Sequence, residues 1–182
     1  MKKRSIFFML MLPLLWCSAQ SPKQVEDGLF KINALTPGAS YELGVSNTTT
    51  LNFDVLLGVE VRGGSERSTE FGIYPSLGAE FRKYVNMDRR LRKEKDISGN
   101  SGNYVSFTNQ FQFGSPLIGN LNQSSDYYYL IGVVYGIQRM RPKGFYWGVS
   151  FGPSIIKDNL DVNAAVVLDL RLGWVLGQRK KN

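Results

Sequence analysis

Charged side chains of both signs recur on one parity of the alternating segments in this chain: Glu42, Asp54, Glu60, Glu80 and Asp169, together with Lys31, Arg62, Arg82 and Arg171. Near-balance of sign at spaced positions suits a paired network that fills an enclosed space, because unpaired charges there are costly. Each charge also reads as part of a solvated strand face. Bond-making chemistry lacks its parts. Serine or cysteine nucleophiles normally work beside a histidine base, and the sequence contains no histidine. Its one cysteine, Cys17, lies in an N-terminal segment expected to be removed. The glycine-containing "SGNSGN" has neither a strand-to-helix setting nor the Lys-Ser/Thr ending of a phosphate loop. The expectation is therefore no enzyme, no cofactor and no metal site.

The elements that must hold these charges read as strands. From Leu51 to Val61 apolar residues occupy odd positions, while Asn52, Asp54, Glu60 and Arg62 occupy even ones. The same period of two continues through "FGIYPSLGAEFRKY", "NYVSFTNQFQF", "YYYLIGVVYGIQ", "FYWGVSFGPSI" and "AVVLDLRLGWVL", and no segment keeps helical spacing over three turns. Turn chemistry such as "RGGSERSTE", "GNLNQSSD", "RPKG" and "KDNLD" bounds the segments. Between residues 29 and 43 the phase slips by one, which requires either a β-bulge or a tight "TPG" turn between two short strands. An even strand count favours the turn and about eight strands.

Alternation alone fits a soluble barrel and a membrane barrel equally. Glycine separates them. Gly38, Gly58, Gly72, Gly78, Gly132, Gly136, Gly148, Gly152 and Gly173 all fall on the polar parity. A glycine weakens a solvated face without return, whereas inside a narrow barrel it makes room for a large neighbour. The polar parity is thus expected inside and the apolar parity outside. Outward aromatics such as Tyr41, Phe71, Phe113, Tyr127, Phe145, Trp147 and Trp174 gather toward strand ends, as interfacial girdles do. The expected fold is all-β: a single antiparallel up-and-down transmembrane β-barrel.

The opening residues, with Lys2, Lys3 and Arg4 ahead of an apolar run from Ile6 to Trp16 and then "CSA", predict a signal peptide over 1–19 and one barrel domain over 20–182. Trp16 stands where lipidation of Cys17 would require a small residue. Loss of that segment lowers the formal charge from +7 by three. The stretch from Arg82 to Lys95 carries seven basic and two acidic residues. The basic balance therefore belongs to one segment and implies no nucleic-acid surface. With the C-terminus in the periplasm, residues 85–102 become a basic periplasmic turn. There Arg89, Arg90, Arg92, Lys93 and Lys95 could touch anionic lipid heads or cell-wall polymer, or simply be solvated.

That turn, "EFRKYVNMDRRLRKEKDISGNSGNYVS", together with "SAQ", "SYELGVSNTTTL" and "LDLRLGWVL", resembles the small outer-membrane β-barrel proteins of Bacteroidetes-type Gram-negative bacteria. The resemblance implies an outer-membrane barrel of unassigned task, and it transfers no catalytic or binding residue. The expected partner is outer-membrane lipid around a monomer. The expected role is structural or partner-binding, with a side-chain-filled lumen. The alternatives are a narrow porin-like channel for small solutes, or a soluble secreted barrel with an apolar ligand.

Overall fold

The computed structural model describes residues 23–64 and 67–176. The expected signal peptide and Cys17 lie outside the described residues. Apart from one short helix and two single 3-10 turns, the chain forms strands: β1 (Gly28–Asn33), β2 (Gly38–Gly44), β3 (Thr49–Gly64), β4 (Arg67–Tyr84), α1 (Met87–Leu91), β5 (Gly102–Phe113), β6 (Ile118–Gly119), β7 (Tyr127–Met140), β8 (Phe145–Lys157) and β9 (Val162–Leu176).

These nine strands make one antiparallel sheet that closes into a ring. Eight of them carry the closure, with β1 pairing to β2 on one side and to β9 on the other. The two-residue β6 pairs with β4 alone, at Gly72 and Ile73. The phase slip near residue 34 is a hairpin turn and not a bulge: Asn33 pairs with Gly38, and Ile32 with Ala39. Gly38 has φ +151, and a Cβ there would meet the Leu56 backbone at 2.8 Å, so this turn requires glycine.

The ring wall is uneven in height. β4 has 18 residues and β3 has 16, whereas β1 and β2 have six and seven. β5 joins β4 only from Ser76 onward, so the far part of the β3–β4 hairpin projects past the ring. Pairing between β1 and β9 covers only residues 30–33 against 173–176, extended by the Ala34 amide donating to the Leu172 carbonyl at 2.8 Å. On the other side, β2 ends its pairing with β3 at Leu56, and the Leu57 amide donates to the Pro37 carbonyl. Beyond these points one edge of β3 and one edge of β9 have no ladder partner among the described residues. The wall is notched there, with the 34–37 turn as the sill.

Polarity is reversed relative to a soluble barrel. Val55, Phe107, Phe151, Val166 and Leu168 are exposed on the outside, while Lys31, Glu42, Thr50, Asn52, Asp54, Glu80, Arg82 and Gln138 are buried within. Buried apolar clusters are small. One joins Val25, Tyr84, Met87, Ile97 and Tyr104 at the end of the ring next to α1, and the other joins Leu29, Tyr146 and Val175.

Candidate functional site: a cross-braced lumen and the cavity above it

Inward positions of β1, β2, β3, β4, β7 and β9 converge on one ion-pair network. Lys31 Nζ lies 2.5 Å from Glu42 Oε2, and Arg82 lies 3.5 Å from the same oxygen. Arg82 Nε reaches Glu80 at 2.7 Å. Arg171 then ties three carboxylates together: Glu80 at 2.6 Å, Asp169 at 2.6 Å and Asp54 at 3.1 Å. Every carboxylate in the cluster therefore has a cationic partner. Uncharged groups complete the shell: Thr50 and Tyr84 hydroxyls donate to Glu42 Oε1 at 2.8 and 2.7 Å. Gln138 accepts from Lys31 and donates to the Gly99 carbonyl. The Arg82 guanidinium also lies over the Tyr104 ring, 4.8 Å from its centroid.

Such buried pairs contribute little net stability, because desolvation offsets the attraction. They specify register instead. A slip of one residue in β4 would turn Glu80 and Arg82 outward and leave their partners uncompensated. Three of the pairs also join strands that are not neighbours in the ring: Arg171 on β9 to Asp54 on β3 and to Glu80 on β4, and Arg82 on β4 to Glu42 on β2.

Glycines make room for this contents. Tyr104 on β5 stands opposite Gly136 on β7, and Tyr146 on β8 opposite Gly173 on β9. A Cβ at Gly136 would run into the Tyr104 ring. Tyr146 in turn donates its hydroxyl to Asn33 Oδ1.

Among the charges expected in the lumen, Glu42, Asp54, Glu80, Arg82, Asp169 and Arg171 meet in this network. Glu60 and Arg62 do not. They pair with each other at 3.1 Å on the projecting hairpin, with side chains 38% and 57% exposed. Their parity is inward, but at this height the β4–β5 pairing has ended, and what reaches Glu60 is Gln123, whose Nε2 donates to its Oε2 at 2.8 Å. Gln138, Thr50 and the tyrosines were legible only as members of the polar parity, since uncharged residues give no separate signal.

The expected basic turn is α1 and its continuation. Arg89, Arg92, Lys93 and Lys95 are exposed, and Arg90 Nη2 donates to the Asp96 carbonyl at 2.6 Å. The rest of the turn is not a solvated loop. Ile97, Gly99 and Asn100 fold beneath the ring and are buried. Glu26 holds them there: its amide donates to Asn100 Oδ1 at 2.8 Å, and its carboxylate accepts from the Gly99 amide at 3.0 Å. These residues plug one end of the lumen, a role that no periodicity in 85–102 announces.

On the other side of the network lies a cavity of about 300 Å³. Asp54, Glu80, Asp169 and Arg171 form its floor, with Thr108, Gln110, Leu130, Val134 and Ser150 on the walls.

Comparison with family models, with curated proteins and with solved structures finds no match for this chain.

Proposed function

We propose that the chain is an integral outer-membrane β-barrel with a side-chain-filled lumen, serving a structural or partner-binding role. The observation that carries this reading is the reversed polarity of the ring: a belt of exposed apolar side chains surrounds a buried ion-pair network. Lipid stabilises such a belt, whereas water would penalise it. Six of the eight ring strands have 12 to 18 residues, against the roughly 9–11 tilted residues that span a bilayer. Outward aromatics pair near both rims. Phe145 meets Trp174 at 5.8 Å on one, and Phe111 stacks on Tyr127 at 5.7 Å on the other.

In this reading the rim bearing α1 faces the periplasm. Arg89, Arg92, Lys93 and Lys95 then meet anionic lipid heads or cell-wall polymer, and the 97–100 plug opposes an open porin-like path. The testing experiment is heat-modifiability after membrane fractionation. Outer-membrane material that migrates differently boiled and unboiled supports the barrel. Soluble material without a shift overturns it and leaves the secreted soluble barrel.

A further inference from the structure

The notch between β3 and β9 opens directly into the cavity above the ion-pair network. Residues on both faces of β9 line that cavity: Val167, Asp169 and Arg171 from its inward parity, and Val166 and Leu168 from its outward parity. Only a strand with a free edge can present both faces to one space. Thr36, from the turn that forms the sill, also lines it. The cavity therefore continues sideways around the β9 edge onto the outer apolar surface, where Val166 and Leu168 are 77% and 70% exposed.

We propose that this notch is a binding site for a membrane amphiphile, entered sideways from the bilayer, with its chain against Val166 and Leu168 and a donor-bearing, cationic head over the lumen floor. The proposal rests on the membrane-barrel reading above. Three features select this occupant. First, β1 and β2, at six and seven residues, are too short to carry the wall across a bilayer, so the notch opens at hydrocarbon depth. Second, the bare edges of β3 and β9 present backbone N–H and C=O groups that hydrocarbon alone cannot satisfy; a polar head, or water drawn in with it, can. Third, the network as a whole sets four carboxylates, Glu42, Asp54, Glu80 and Asp169, against three cations, Lys31, Arg82 and Arg171, so one negative charge is in excess; Lys31 and Arg82 serve Glu42 and Glu80, and Arg171 is already shared among Asp54, Glu80 and Asp169. Asp169 spends Oδ2 on Arg171 and has a side chain 34% exposed; its Oδ1 accepts from no described residue. An ammonium head finds an acceptor there, whereas an anionic head meets surplus negative charge.

The test uses the full chain, processed and extracted from membranes, exchanged into amphipol and titrated calorimetrically with dodecylammonium below its critical micelle concentration. Saturable one-to-one binding is expected, with dodecyl sulfate failing to compete. Asp169→Asn, which leaves Arg171 two carboxylate partners, should weaken binding by roughly tenfold, as loss of a charge-assisted contact does. Val167→Trp should weaken it by filling the notch. Absence of saturable binding, or equal affinity in both variants, overturns the proposal. So does native mass spectrometry showing a dimer that Val167→Trp disperses, because the bare edges would then be covered by a second copy. Heat-modifiability of the same samples separates the two readings. A shift without binding removes only the amphiphile site, and absence of the shift removes the barrel reading and the site with it.

Discussion

Gly136 and Tyr104 are a matched pair, and their fit is steric. Substitution of Gly136 by Ala places a methyl group against a ring that also carries the Arg82 guanidinium 4.8 Å from its centroid. The expected cost is about 1–3 kcal/mol, the usual range for overpacking a filled interior. Urea unfolding of the detergent-folded protein measures it. Combining Gly136→Ala with Tyr104→Leu should return part of the loss, because the smaller side chain frees the space the methyl needs; strictly additive effects would mean that the two residues do not compete for it. The sequence shows that glycines share the polar parity, and parity requires no knowledge of the partner strand. It does not show which tyrosine covers which glycine, because that depends on the register between β5 and β7. Glu60 and Arg62 illustrate the same limit. Parity assigns them inward, yet whether an inward residue is enclosed depends on the height of the opposite wall, which is set by strands far away in sequence.

The turns between elements differ in how they are fixed. The β8–β9 connection is locked by one side chain: Asp158 Oδ1 accepts from the amides of Leu160 and Asp161, both at 2.7 Å. These two amides hold its carboxyl below the usual value of 3.8. A depressed acid stabilises the folded turn fully above its unfolded pKa, and that contribution disappears as pH falls through the lower folded value. The turn should therefore keep its amide protection from neutral pH to about pH 4 and lose it in stronger acid. Asp158→Ala should show the unprotected behaviour at every pH. Hydrogen exchange at Leu160 and Asp161 reads both. This turn was legible as "KDNLD", whose chemistry is local. The plug formed by Ile97, Gly99 and Asn100 was not, since its partner Glu26 lies more than 70 residues earlier and neither segment alternates. The β1–β2 hairpin stood between: a phase break was visible at Ala34, and an even strand count chose the turn over the bulge.

At the level of the whole molecule the lumen is obstructed twice, by the plug at one end and by the six-strand network in the middle. Planar bilayers containing the purified protein should accordingly show no stepwise conductance under applied voltage. Reproducible steps would favour the alternative, the narrow channel, over the structural or partner-binding reading. The general architecture was accessible because side-chain period, glycine parity and aromatic placement are each properties of single segments and agree with one another. The notch was hidden for the opposite reason. It arises from a difference in length between the first two strands and the last one, and is visible only when the ends of the chain are placed side by side.

The position of Arg171 also has a consequence for the order in which the barrel can be built. It lies on β9, the last strand among the described residues, whereas two of the carboxylates it neutralises, Asp54 and Glu80, lie on strands made much earlier. Until β9 arrives, a partly assembled sheet carries those acids facing inward with Arg82 as their nearest compensation. Ring closure at β1 and charge neutralisation at the centre therefore fall on the same strand. An intermediate lacking β9 is left both unsealed and electrostatically incomplete, because the same strand closes the ring against β1 and brings Arg171 to Asp54 and Glu80.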